Sequence, residues 1–498
     1  MASPPSSQRT STDEHSRHHH DKRWGALAVT LMVGFMSLLD VTIVNVAVPS
    51  IQQGLDASAT SIQWIVSGYA LTFGLTLVAG GRVGDVVGRR RMFVIGLIAF
   101  VVTSALAGVA PDERLLVVAR LLQGCAAGLL TPQNSGLIQQ LFTGAERARA
   151  FGLFGTTVGV SSAAGPVIGG LIIKVFGDDQ GWRYVFYVNV PIGLVALVLA
   201  LRLLPPPEPR EGTVRSQIDG TGAVLLGVAV LAVLLPIIEA MSDPATPLWA
   251  GLVVAPFAAW AFVHWERRVV RRGKEPLLDV RLFSQAPGYA SGIVLGSTYF
   301  IGFSGVWLVL ALYFQDGLGF SALQSGLAVT PFALGSAVSA VVAGRLVARW
   351  GRKVTVGGLV LVLVGFGAVA VAVPLSGSHP ALALSLPLLV AGLGGGATIS
   401  PNITMTLASV PPRMGGAAGG ALQTGQRIGS AVGAAVLTAT FRLAGDGALT
   451  RGVTVAFAVT LGFTLVALVM GIRELRLRPD LGADAETEHQ EHQHHAHA

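Results

Sequence analysis

Long apolar runs separated by short polar or basic connections occupy nearly the whole chain. They fall at 24–48, 62–80, 92–110, 113–132, 150–172, 184–204, 219–238, 247–265, 289–314, 323–343, 354–374, 381–403, 416–440 and 453–472. A helix needs about 20 apolar residues to cross the hydrocarbon core of a bilayer. Inside that core every backbone group must bond within the chain, which favours helices over open strands. The pattern therefore predicts an all-α integral membrane protein with 14 transmembrane helices.

The basic residues test that count. With both termini and every even-numbered connection placed on the cytoplasmic side, 27 Lys and Arg fall inside and five outside. Arg120 and Arg427 lie within runs. An error of one helix would invert this bias downstream, so the positive-inside rule supports the same topology. It also absorbs the net charge of +7, which leaves no basic patch for nucleic acid. Only 12% of residues are charged, against about 25% in soluble domains. The single Cys125 permits no internal disulfide. Residues 1–23 lack the apolar core of a signal peptide and read as a disordered cytoplasmic tail. The tail 474–498 is acidic and His-rich and reads as solvated, with no metal site expected.

The chain repeats itself. GRVGDVVGRR at 81–90 and GRLVARWGRK at 344–353 align at an offset of 263 residues. Gly81, Arg82, Gly88 and Arg89 match Gly344, Arg345, Gly351 and Arg352, and Arg90 matches Lys353. Each copy follows the second run of a group of six. This predicts an N-terminal six-helix half at 24–204, two inserted helices with cytoplasmic loops at 205–286, and a C-terminal half at 287–473. Paired repeats of this kind place a binding site near the midplane between halves. Asp85 has Ala348 as its counterpart. A conformational latch on one side only is one reading, and a plain topological anchor of basic residues is the other.

These motifs resemble those of the major facilitator superfamily, in its fourteen-helix drug:proton antiporter branch. GGRVGDVVGRRR is similar to the superfamily loop after helix 2, with Gly81, Asp85, Gly88, Arg89 and Arg90 in the gating positions. LLDVTIVNVAVP resembles the helix 1 motif, RLLQGCAAG the helix 4 motif, and WRYVFYVNVPIG the opening of helix 6. The run GLFGTTVGVSSAAGPVIGG resembles the antiporter motif of helix 5. The resemblance spans about 24–473 and implies export by alternating access. Gly155, Gly159, Gly165, Pro166, Gly169 and Gly170 would belong to the antiporter helix. Ser161 stands where the pattern commonly has glycine.

Read physically, Gly152, Gly155, Gly159, Ala163, Pro166 and Gly170 share one helical face. A face nearly without side chains lets a second backbone approach, and Pro166 bends the helix. That predicts a tight seam, expected against the other half.

Asp40 lies eight residues before the outer end of run 1, and Arg120 seven residues into run 4 from its outer start. At about 1.5 Å per residue the two match in depth. A charge near the bilayer centre costs at least ~2.5–3.5 kcal/mol, and the simplest relief is mutual approach in one cavity. Asp40 is expected to carry the coupled proton, and a cationic substrate would meet it there as well. Arginine favours its ionised form and burial opposes it, so a change of state could load or release a proton. A static pair fixing helix 1 to helix 4 is the alternative.

Asn45, Trp64, Tyr69, Gln123, Gln133, Asn134, Asn189, Asn402, Gln423 and Arg427 are candidates to line the cavity. Arg427 lies about ten residues into run 13, with Gln423 one turn before it. Some multidrug members of the branch carry acids in helix 13, and this chain has none there, which counts against broad dicationic substrates. Asp112 and Asp219 read as solvated or capping groups.

The expected function is proton-driven efflux of an amphiphilic organic compound, as a monomer in a bacterial inner membrane, without cofactor or enzymatic chemistry. No GxxxxGK[ST] phosphate loop is present. A dedicated exporter of one endogenous metabolite, lipid or siderophore is the near alternative. A proton symporter for uptake is disfavoured by the helix 5 motif.

Overall fold

Glycine, serine and aspartate set where the helices stop and start. A computed structural model describes residues 7–177, 179–206, 219–240, 247–377, 379–444 and 449–477. The tail 478–498 and the connection 207–218 lie outside them. Among the described residues all regular structure is helical. The first set comprises α1 (Ser7–Leu55), α2 (Ala59–Val87), α3 (Arg89–Gly108), α4 (Glu113–Leu141), α5 (Gly144–Phe176), α6 (Gly181–Tyr187) and α7 (Asn189–Leu203). A hairpin of α8 (Gly220–Ala240) and α9 (Gly251–Arg271) and the short α10 (Leu282–Gln285) follow. The second set comprises α11 (Tyr289–Leu312), α12 (Ala322–Trp350), α13 (Arg352–Leu375), α14 (Pro380–Leu407), α15 (Gly415–Ala444) and α16 (Leu449–Leu477). Helix α1 begins at Ser7, inside the segment expected to be a tail.

Ser58 and Asp112 cap α2 and α4 by accepting from the backbone N–H groups of Ser61 and Leu115. The Asp219 Oδ1 accepts from Gly222 N at 2.9 Å at the start of α8. The repeated glycines Gly88 and Gly351 end α2 and α12 at φ of 106° and 50°. L-residues with side chains rarely adopt such angles, so both copies of the motif turn on glycine for the same reason.

Among the described residues twelve helices are long and apolar enough to cross a membrane. The fourteen expected from the sequence are thus reached only with α5 and α15 added. Helix α5 has 33 residues, of which only Val167–Phe176 counts as an apolar stretch. Helix α15 has 30 residues diluted by glycine, Gln423, Gln426 and Arg427. Both pack glycines against neighbouring backbones, Gly152 against Gly344 and Gly433 against Ile301, which leaves room for few large apolar groups.

The packing of the first set recurs in the second. Helix α4 packs on α2 and α3, as α14 does on α12 and α13. Helix α1 packs on α5 and α7, as α11 does on α15 and α16. The sets meet crosswise, α5 against α12 and α14, and α15 against α2 and α4. Helix α8 closes over one edge of that seam, with Val230, Leu234 and Ile238 packed near Leu71 of α2 and Ile428 of α15. The Gln63 amide donates to the Ile238 carbonyl at 3.0 Å. Large apolar side chains such as Val253, Phe257 and Trp260 of α9 face outward, a surface suited to lipid rather than water.

Candidate functional site

Helices α1, α4 and α7 converge on one carboxylate. Asp40 is fully buried, and its Oδ2 accepts from Arg120 Nη1 at 2.7 Å. Its Oδ1 accepts from Gln123 Nε2 at 3.0 Å and from Asn189 Nδ2 at 2.8 Å. Arg120 is 1% exposed. Its Nε donates to the Ile65 carbonyl at 3.0 Å, and Nη1 also donates to Gln123 Oε1 at 2.7 Å. The guanidinium lies 4.2 Å from the centroid of the Tyr69 ring. Asn189 is itself steadied by Ser104 Oγ at 3.0 Å.

An unpaired ion in such a place would be expelled, and removing one partner of a buried pair costs about 3–5 kcal/mol. Here charge and hydrogen bonds are both matched. The carboxylate oxygens are occupied by three donors, so this arrangement offers no berth for a cationic guest at Asp40. Lysine cannot reproduce the planar fork that reaches Asp40, Gln123 and Ile65 while stacking on Tyr69. Arg120→Lys is therefore expected to lower stability by about 1–3 kcal/mol, the range for hydrogen bonds to charged groups. Thermal melting of the purified protein checks this, with an unchanged midpoint as the opposing result.

Tyr69 and Phe73 continue the site along α2 toward α15. Their ring centroids lie 5.9 Å apart. The half-buried Arg427 of α15 sits with its guanidinium 4.4 Å from the Phe73 centroid. Gln423, one turn away, donates to Ser135 Oγ of α4 at 3.4 Å. The α1–α4 pair and the α15 arginine thus lie on either side of two aromatic rings.

The loop motif forms a second centre at the arginine-rich end of the bundle. Asp85 Oδ1 accepts from Arg89 Nη2 at 2.8 Å and from Gly416 N at 3.1 Å, and Oδ2 accepts from Ala417 N at 2.9 Å. A carboxylate from α2 thereby caps the N-terminus of α15, where free N–H groups and the helix dipole favour a negative charge. Arg89 also donates to the carbonyls of Gly136 and Pro412, and Arg90 to that of Leu201. A Cβ on Gly81 would lie 2.2 Å from the Gly416 carbonyl oxygen, so only glycine permits this contact. Arg82 pairs with Glu275 at 2.9 Å, tying the α9–α10 connection to the motif. In that connection burial opposes ionisation of Asp279, but the Arg281 guanidinium at 2.7 Å outweighs it and holds the carboxyl below its usual range.

The α5 stripe serves two partners. Gly152 meets Gly344 of α12 backbone to backbone, Gly155 meets Ser400 of α14, and Gly159 meets Ser336 of α12. Gly170 lies near Leu323. Gly165 and Gly169 point elsewhere, toward Thr42 and Ile43 of α1. The face expected to form a seam thus meets the second set through Gly152, Gly155, Gly159 and Gly170, while Gly165 and Gly169 lie on another face against α1. Pro166 lies within α5, its side chain outside the described ones.

The remaining candidates do not gather at one cavity. Asn45 is exposed, and Trp64 packs beside the α8 cluster. Asn134 is 1% exposed and its amide has no hydrogen-bond partner. Gln133 donates to the Gly80 carbonyl at 2.9 Å. Asn402 is a structural group: its Oδ1 accepts from Arg352 Nη1 at 2.6 Å, and its Nδ2 donates to the Gly292 carbonyl at 3.0 Å. Arg352 pairs in turn with Glu474 of α16 at 3.0 Å. This triad is not legible in residue order, because Glu474 sits in the charged stretch RELRLR and looks solvated.

The sequence profile of the Major Facilitator Superfamily matches residues 30–272 and 292–494. A probable actinorhodin transporter of Streptomyces coelicolor is 38% identical over 424 residues, covering 84% of this chain and 72% of that one. A tetracenomycin C resistance and export protein of Streptomyces glaucescens is 33% identical, covering 83% and 75%. The solved structure of a proton:xylose symporter superposes with a TM-score of 0.64 at 14% identity, covering 90% of this chain and 95% of that one. The last is a likeness of fold alone.

Proposed function

This chain belongs to the Major Facilitator Superfamily, and on that premise we propose that it is a proton-driven exporter of amphiphilic organic compounds. The observation that carries the reading is the Asp40–Arg120 pair, fully buried yet bridging α1 and α4 within the first set. A charge kept at that depth is functional by default in a membrane protein. In this reading α5 and α15 also cross the bilayer, giving fourteen spans in two six-helix halves with α8 and α9 between them. Both termini and the loop motif lie on the cytoplasmic side of a bacterial inner membrane, and the chain acts as a monomer without enzymatic chemistry.

The mechanism follows from what each centre holds. The Asp85 cap and the Gly81–Gly416 and Gly152–Gly344 contacts hold the cytoplasmic side shut. Asp40 in this state is ionised against Arg120. A proton arriving from outside neutralises it and frees Arg120. Loosening the α1–α4 tie favours reorganisation of the first set against the second. Opening toward the cytoplasm then releases the proton and admits the substrate. Aromatic groups of α11 and α12, with Phe303, Trp307 and Phe332 in contact, provide an apolar surface suited to a flat organic scaffold.

A second reading, a dedicated exporter of one product, draws support from relatives that are each named for a single antibiotic. Energised everted vesicles test the proposal. Cells expressing the chain should yield vesicles that accumulate an aromatic substrate, and an uncoupler should abolish that accumulation. Accumulation that survives the uncoupler would overturn proton coupling. A panel of unrelated compounds then separates broad from dedicated export.

A further inference from the structure

Arg427 is a half-buried cation without an anion among the described residues. Among the described residues its close contact is the face of Phe73, and it has no hydrogen bond or ion pair. Helix α15 carries no acid between Gly415 and Ala444 to neutralise it. The carboxylate of the central site, Asp40, is already saturated by Arg120, Gln123 and Asn189. One more donor stands unused beside it. The Tyr69 hydroxyl is buried in a residue only 1% exposed and has no hydrogen-bond partner. The Tyr69 ring lies 5.9 Å from that of Phe73, on whose face the Arg427 guanidinium sits at 4.4 Å. Tyr69 comes from the first set and Arg427 from the second.

We propose that Arg427 and the Tyr69 hydroxyl form an anion-binding subsite that recognises the carboxylate or other acidic oxygen of an aromatic amphiphile. The inference rests on the export reading and names its substrate class. The chemistry is specific. A guanidinium presents several N–H donors in a planar fork matched to a carboxylate. A buried donor without an acceptor is costly, and a half-buried guanidinium without a counter-ion is a ready partner for an anion. One anionic group relieves both. The Phe73 ring, already stacked on the guanidinium, offers the adjoining apolar surface that an aromatic acid needs. Because the two donors belong to opposite sets, an anion between them also bridges the parts that must move relative to each other. The arrangement runs against a cationic substrate, which would face Arg427 and find Asp40 occupied.

Three anthracene probes of one shape decide the matter: the carboxylate, the neutral methanol and the cationic methylammonium. Binding to the full chain in lipid nanodiscs is read by energy transfer from tryptophan. The carboxylate should bind about tenfold or more tighter than the alcohol, as one charge-assisted contact implies. Arg427→Gln should weaken the carboxylate by about 10- to 100-fold while leaving the alcohol nearly unchanged. Tyr69→Phe keeps the ring over Arg120 and should weaken only the carboxylate, by a smaller factor. If Arg427→Gln does not fold, the Tyr69→Phe result decides. A wild-type chain that binds the carboxylate no tighter than the alcohol overturns the proposal, as do variants that weaken both probes alike. Everted vesicles separate this failure from failure of the export reading. Uncoupler-sensitive accumulation of the alcohol without preference for the acid sinks only the subsite. If none of the three probes accumulates in that way, the export reading itself fails.

Discussion

Asp40→Asn is expected to abolish gradient-driven accumulation of substrate while leaving substrate exchange across the membrane intact. Asparagine keeps the size of the side chain, and its oxygen still accepts from Gln123 and Asn189. It loses the charge and the site of protonation together. Arg120, 1% exposed, is left without its anion, at a cost bounded by about 3–5 kcal/mol. The remaining bonds of Arg120 to Ile65 and Gln123 hold that cost below the bound, so the variant folds with a lowered melting temperature. Counterflow of labelled substrate at zero proton gradient checks the exchange step, and energised vesicles check accumulation. A variant that accumulates substrate like the wild type would show that the pair is only a brace between α1 and α4.

Asp85→Asn is expected to open the cytoplasmic side. The carboxylate bonds to Gly416 and Ala417 exist only when α2 and α15 are together. Arg89, itself buried, shares the same oxygen. Losing the charge weakens the cap and strips Arg89 of its partner, which costs the closed state about 3 kcal/mol and shifts the population by roughly 100-fold. Spin labels at Arg91→Cys and Arg413→Cys, in a Cys125→Ser background, report the distance across this end. The variant should show a second, longer distance. An unaltered distribution together with unaltered transport would mean that the motif anchors the loop and does not latch the halves.

Much of this was legible from residue order because membrane burial makes rules strict. Apolar runs and basic connections gave the helices. Gly88 and Gly351 were readable as turns because the repeat set them in register. Asp40 and Arg120 were found by depth, since two charges at one level in adjacent runs have few other outlets. Lateral facts were not readable. Depth alone could not choose Gln123 and Asn189 as the donors to Asp40 from a longer set of polar residues. Nothing near Asp85 in sequence announced Gly416, which lies 331 residues away. The glycines of α5 were legible for one face only, because three- and four-residue steps trace a single face. Gly165 and Gly169 lie on another and serve α1. Asn402 resembles a cavity group by composition, and only the fold sets it against Arg352 and Gly292.

The most direct test of proton-coupled export through Asp40 uses everted vesicles whose lumen has been acidified and loaded with a pH-quenched acridine dye. Their lumen corresponds to the outside of the cell, so export carries substrate inward and protons outward. Adding an anthracene substrate to wild-type vesicles should restore the dye fluorescence as the lumen loses protons. Vesicles bearing Asp40→Asn at equal protein level should show no such recovery. Recovery of equal size with the variant, or none with the wild type while substrate still accumulates, would contradict the account.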